Sequence, residues 1–199
     1  MLGRSARLRL LGLLFGLLAC GCAGTRTQEV EVYEPRPAQP LAKFLVVGIH
    51  ENGRIRRLFE NAFVAELAGR GVEGVQSYRF IYEERAINVE RVLRAVQESG
   101  ADAVITVRVV DAEFQPQTAR PVQRENLEFD LFSENPERRL LPQSDKVTLR
   151  TNVYQSANRL LVLTTTSRVV SPESVESIGR ELCQNTVEEL AKEKFISRQ

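Results

Sequence analysis

Tryptophan is absent from these 199 residues, histidine and methionine occur once each, and cysteine occurs three times. With one histidine, His50, and one cysteine outside the N-terminal region, Cys183, the chain is poor in the three or four Cys, His and carboxylate ligands of a zinc centre. A nucleophilic triad would need a nucleophile and an orienting acid beside that histidine. The stretch IHENGRIRR supplies Glu51 and no recognisable nucleophile motif. No glycine loop ends in Lys-Ser or Lys-Thr, which argues against a phosphate-cradling P-loop. The chain is therefore expected not to be an enzyme, with no catalytic residue, metal or cofactor. An excess of one charge is also missing: 27 basic residues face 26 acidic ones. Nucleic-acid binders carry a basic excess, so that partner class is excluded. A long apolar run is missing too. The longest, Leu10 to Ala19, has about half of the roughly 20 residues that a spanning helix needs.

What is present begins at that run. Arg4, Arg7 and Arg9 precede it, no acidic residue lies near, and small residues follow. A basic start, a short apolar core and a small-residue exit describe a secretory leader over residues 1–19. The exit, Leu17-Leu18-Ala19-Cys20, resembles the lipobox of bacterial lipoproteins, with Leu18 bulkier than the usual middle residue. The resemblance implies cleavage between Ala19 and Cys20 and lipidation of the Cys20 thiol. Cys22 fits the pattern less well. Stable anchoring takes more than one acyl chain, and the resemblance implies three. Gly21 after the cysteine, where an aspartate would retain the protein, implies the outer membrane. Without the three leader arginines the count becomes 24 basic against 26 acidic residues.

Residues 20–42 follow, polar and with Pro35, Pro37 and Pro40 closely spaced. Proline restricts its own backbone and the residue before it toward extended geometry. The expectation is a proline-rich tether reaching on the order of 70 Å at most, at about 3.1 Å per residue. The alternative is that Val30 to Glu34 adds an edge strand to the domain.

The domain is expected to occupy residues 43–199. Lys43 to Ile49 reads as a strand covered on both faces. Arg54 to Gly71 reads as a helix with Ile55, Leu58, Phe59, Ala62, Phe63 and Leu67 on one stripe. Arg56, Arg57 and Glu60 fall off that stripe. Asn52 suits the cap and Gly71 the left-handed stop. Val72 to Tyr82 reads as a second strand. Asn88 caps a second helix ended by Gly100, and Ala103 to Val110 is a third strand. The order implies parallel strands joined by right-handed crossovers. Val147 to Tyr154 alternates as an antiparallel strand with one wet face, followed by a turn at Ser156 to Asn158 and a partner strand from Leu160 to Ser167. Ser171 and Pro172 open a last helix with Val175, Ile178, Leu182, Thr186 and Leu190 on one face. Val187 and Phe195 lie off that stripe, and Cys183 sits at its flank. The expected class is α/β, a two-layer or three-layer sandwich on a mixed five-stranded sheet. Its order is β-α-β-α-β-β-β-α, with the first half parallel and the C-terminal hairpin antiparallel.

The run KFLVVGIHENGRIRRLFENAFVAELAGRGVEGV, then ESGADAVITVRVV, then the hairpin and final helix resemble a group of small Gram-negative lipoproteins. Their domain is similar to the TolB amino-terminal domain, to the curli-secretion lipoprotein and to the lipoprotein activators of penicillin-binding proteins. The resemblance covers roughly residues 43–196. It implies a periplasmic domain and carries no catalytic motif. The roles in that superfamily differ, so fold alone does not choose a function.

Two regions are candidates for binding. Asn52, Arg54, Arg56 and Arg57 could hold an anion at a helix start; the alternative is a solvated basic face. Residues 114–145 form a long polar insertion punctuated by four prolines. Such long segments are usually functional or disordered. Within it, Leu127, Phe129 and Leu131 alternate with Glu128 and Asp130, as in a segment that adds to a partner's sheet edge or packs on its own domain. The expected function is a membrane-anchored periplasmic adaptor or envelope-assembly factor with a protein partner. The alternative is a small-ligand or glycan-fragment binding module at the carboxyl edge of the first strand.

Overall fold

The computed structural model describes residues 26–110, 146–170 and 175–197. Six strands form one mixed sheet: β1 (Arg26–Val32), β2 (Lys43–Ile49), β3 (Glu73–Gln76), β4 (Ala103–Val110), β5 (Lys146–Gln155) and β6 (Leu161–Val170). Three helices accompany them: α1 (Gly53–Gly69), α2 (Val89–Ser99) and α3 (Val175–Lys192). The sheet order is β1-β6-β5-β4-β2-β3. β2 runs parallel to β3 and β4, and the β4-β5, β5-β6 and β6-β1 pairs are antiparallel. The expected α/β class and mixed sheet hold, with six strands rather than five.

The sixth strand comes from the stretch expected to be a tether. Arg26 to Val32 pairs with β6 from Val169 to Leu163. The alternation of Val30 and Val32 with Glu29 and Glu31 suits a half-covered edge. Residues 33–42 then run along the sheet end where β2 begins. Tyr33 N–H donates to the Val162 carbonyl at 3.0 Å and Leu41 N–H to the Phe195 carbonyl at 2.7 Å. The Arg36 guanidinium donates to the Glu193 carbonyl and carboxylate, and lies 5.5 Å from the Phe195 ring centroid. Leu41 is buried. The prolines thus stiffen a strap bound to the domain, not a free spacer.

Alternation along the strands splits the core in two. Phe44, Val46, Ala103, Ile105 and Leu149 pack with Phe59, Phe63 and Leu67 of α1 and Leu182, Val187 and Leu190 of α3. Leu45, Val47, Val104, Tyr154 and Leu161 pack with Val92 and Ala95 of α2. Successive strand residues face opposite sides, so α1 and α3 cover one face and α2 the other. Val187 belongs to the core because α3 is covered by both sheet and α1 and buries a wider arc than one stripe. For the same reason Cys183 is fully buried rather than at a flank. Phe195, past the end of α3, is buried where the chain turns back to donate to the Leu190 carbonyl and accept from the Leu41 N–H. Gly179 lets the two helices approach: a Cβ there would come 2.8 Å from Leu58 Cδ2.

The caps follow the sequence. Asn52 Oδ1 accepts from the Arg54 and Ile55 N–H groups, and Asn88 Oδ1 from the Arg91 N–H. Gly71 and Gly100 take positive φ, 69° and 68°. Two expectations need correction. The strand from Val72 to Tyr82 shortens to Glu73–Gln76, and Ser77–Arg79 is a 3-10 turn. The second face of β5 is not wet. Asn152 and Tyr154 are buried, with Asn152 donating to the Tyr154 hydroxyl at 3.0 Å and accepting from the Thr164 hydroxyl at 2.9 Å. Partnered in this way, polar side chains can be buried at little cost. Among the described residues no helix is long and apolar enough to cross a membrane.

Candidate functional site

The carboxyl ends of β2 and β4 lie side by side where the chain's connections diverge. From β2 the chain crosses through α1 to β3 on one side, and from β4 it passes to β5 on the other. Open α/β sheets bind ligands in the crevice at such a switch point. The crevice here is lined by Gly48, His50, Arg56, Phe59, Val107 and Leu149 among others, and it is too narrow to hold a water molecule.

Its wall is a buried ionic network. Arg56 and Glu60, one turn apart on α1, are both 0% exposed, with Arg56 Nε donating to Glu60 Oε1 at 2.8 Å. The same oxygen accepts from the Gly48 N–H at 3.0 Å and the Ser77 hydroxyl at 2.7 Å. Glu60 Oε2 accepts from the Tyr78 N–H at 3.0 Å. Arg56 Nη2 donates to Ser77 Oγ at 2.8 Å, and Nη1 is buried with no hydrogen-bond partner among the described residues. The network forms because β3 stops at Gln76. Beyond that point the carboxylate accepts the backbone donors of β2 and of the 3-10 turn. Gly48 is required for the close approach, since a Cβ there would come 3.0 Å from the Arg56 carbonyl oxygen.

The four residues expected to hold an anion do not converge. Asn52 is occupied as the helix cap. Arg54 is exposed, and Arg57 is exposed with its guanidinium 6.0 Å from the Tyr78 ring centroid. Arg56 turns inward to Glu60. At the helix start a carboxylate of the chain itself, Glu84, lies against Gly53, where an added Cβ would collide with it. A negative group at that position complements the helix dipole. His50, just past β2, is half-buried and its Nδ1 accepts from the Asn52 N–H at 2.9 Å. Burial lowers its pKa, opposed by the charge of Glu51. Among the described residues no three His, Cys, Asp or Glu side chains gather as a metal site. Ala19, Cys20 and the insertion at 114–145 lie outside the described residues, as do Ser171 and Pro172.

The Arg56–Glu60 pair escaped the reading of the sequence because both residues lie off the apolar stripe. Their separation of four positions, with a glycine closing the facing strand, was the available signal.

Comparison with models of known families gives no match, and comparison with curated proteins gives none either. Among solved structures, the PelC dodecamer from Paraburkholderia phytofirmans is similar over 88% of this chain and 100% of its own, at 14% identity and a TM-score of 0.49. A PDZ domain protein from Parabacteroides distasonis is similar over 94% of this chain and 40% of its own, at 8% identity and a TM-score of 0.47.

Proposed function

We propose that this chain is a lipoprotein anchored through Cys20 to the periplasmic face of the outer membrane, and that its α/β domain is a non-catalytic adaptor or envelope-assembly factor for a protein partner. The observation that carries the reading is the Leu17-to-Cys20 lipobox behind a basic, apolar leader. The resemblance to periplasmic lipoprotein domains supports it. So does the chemistry of the strand end, where Glu60 holds Arg56 and two backbone donors and the His50 Nδ1 holds the Asn52 N–H. The insertion at 114–145 is the proposed partner-binding element.

Mass spectrometry of the N-terminal peptide from cells tests the anchor: a triacylated Cys20 is expected, and an unmodified thiol there would refute it. Proximity labelling in living cells tests the adaptor role. A discrete set of envelope proteins, lost on deleting residues 116–144 with the fold intact, is expected; the same set without the insertion would relocate the partner surface.

One observation favours the second reading, a module that binds a small ligand or glycan fragment. At the switch point Arg56 Nη1 is buried with no hydrogen-bond partner among the described residues, and a ligand would reach it only by widening the crevice. Titration with phosphate and anionic glycan fragments, followed at the Arg54 to Arg57 amides, separates the two readings.

A further inference from the structure

The two ends of the sheet differ in charge. At one end lie the carboxyl ends of β2, β3, β4 and β6, the starts of β1 and β5, and the starts of all three helices. Arg54, Arg57, Arg79, Arg85, Arg91 and Arg168 stand at this end, all exposed and none in an ion pair with another described residue. The strand register adds the positions of Arg26 and Lys146. Against them stand Glu51, Glu83, Glu84 and Glu90, the last paired with Arg94. Each helix start adds the positive end of its dipole.

At the opposite end acidic and basic residues nearly balance, and four of the cations are held by carboxylates, with Arg159 and Lys194 also standing there. Lys43 pairs with Glu73, Arg36 with Glu193, Arg70 with Glu188 and Lys192 with Glu189. Asp102 there accepts the Ala42 and Lys43 N–H groups.

The chain enters the domain at the basic end. Five residues, 21–25, separate Cys20 from the first residue of β1. Fully extended, that connection spans no more than about 20 Å. We infer that the basic end of the sheet faces the bilayer and docks on anionic phospholipid headgroups, leaving the charge-balanced end toward the periplasm. The inference rests on the proposed lipidation of Cys20. Its two supports are independent of each other: the length and exit point of the anchor, and the exposed, unpaired arginines gathered at that exit. Cations beside a lipid anchor add the second attachment that a stable membrane contact requires.

The test uses the full chain produced in a Gram-negative host, with Cys20 acylation verified first by mass. The protein is placed in nanodiscs of phosphatidylethanolamine with phosphatidylglycerol, in nanodiscs of phosphatidylcholine, and in neutral detergent. Amide hydrogen exchange is compared. Several-fold slower exchange over residues 50–57 and 164–168 is expected in the phosphatidylglycerol discs only, with residues 98–102 and 188–195 unchanged. The slowing should vanish in high salt and in the triple variant Arg54→Glu, Arg57→Glu, Arg168→Glu. A folded, acylated protein with equal exchange in all three settings would overturn the orientation and leave the anchor standing. Slow exchange already present in detergent would mean that the chain covers its own basic end, and would also overturn it. An unmodified Cys20 would overturn the anchor itself, and the orientation with it.

Discussion

The guanidinium of Arg56 and the carboxylate of Glu60 meet at 2.8 Å with neither side chain exposed to solvent. The pair ties α1 to the end of β2 and to the turn after β3, because Glu60 also accepts the Gly48 and Tyr78 N–H groups.

Removing the acid strands the base. Glu60→Ala leaves a buried cation and two backbone donors without a partner, and is expected to cost about 3–5 kcal/mol. The double change Arg56→Met with Glu60→Leu removes the stranded charge and should cost less. Urea denaturation of both variants checks this; a double variant as unstable as Glu60→Ala would show that the pair is not what the carboxylate stabilises.

Gly48 admits Arg56 to the strand. Gly48→Ala sets a methyl group against the Arg56 carbonyl, which is backbone and cannot swing aside. Overpacking of this kind costs about 1–3 kcal/mol. Unfolding measurements on Gly48→Ala give the cost directly, and an unchanged midpoint would place the strand further from α1 than the structure does.

His50 makes stability depend on pH in a defined sense. Its folded pKa lies below the ordinary value of 6.5, chiefly through burial. Protonation would also end acceptance by Nδ1 of the Asn52 N–H. The neutral form is favoured in the fold, so the contribution of His50 is fully present above the unfolded pKa and is lost as the pH falls through the folded one. The unfolding free energy of the native chain minus that of His50→Gln should therefore decline from about pH 7 to pH 5. A difference that stays flat over that range would contradict the assignment.

Cys183 is expected to be inert. It is 0% exposed, and burial pushes its pKa well above the ordinary thiol value, helped by the charge of Glu66 and opposed by a backbone hydrogen bond. The thiolate is the reactive form. A thiol reagent should modify Cys183 only as fast as the domain opens, and immediately in denaturant. Fast modification of the native chain would refute the burial.

The sequence made the order of elements legible, and the reasons are local. Asn52, Asn88, Gly71 and Gly100 announce helix ends through their own backbone chemistry, and the continuous apolar runs of β2 and β4 announce buried strands. What was misread depends on neighbours distant in sequence. Pro35, Pro37 and Pro40 look like a spacer until Glu193 and Phe195 are brought beside them. Asn152 looks like a solvent-facing residue until Thr164 and Tyr154 supply its partners. The candidate anion site was legible only as residues, since the direction in which Arg56 turns is set by where β3 stops.

The entry of the chain through β1 has a mechanical consequence. A pull on the residues before Arg26, resisted at the Glu193 and Phe195 end, acts along the strand axis. The β1–β6 ladder then bears the load in shear, with its hydrogen bonds strained together rather than opened one after another. The strap from Tyr33 to Leu41 lies behind that ladder as a second hold, so tension from the N-terminal side reaches β2 only after both have failed.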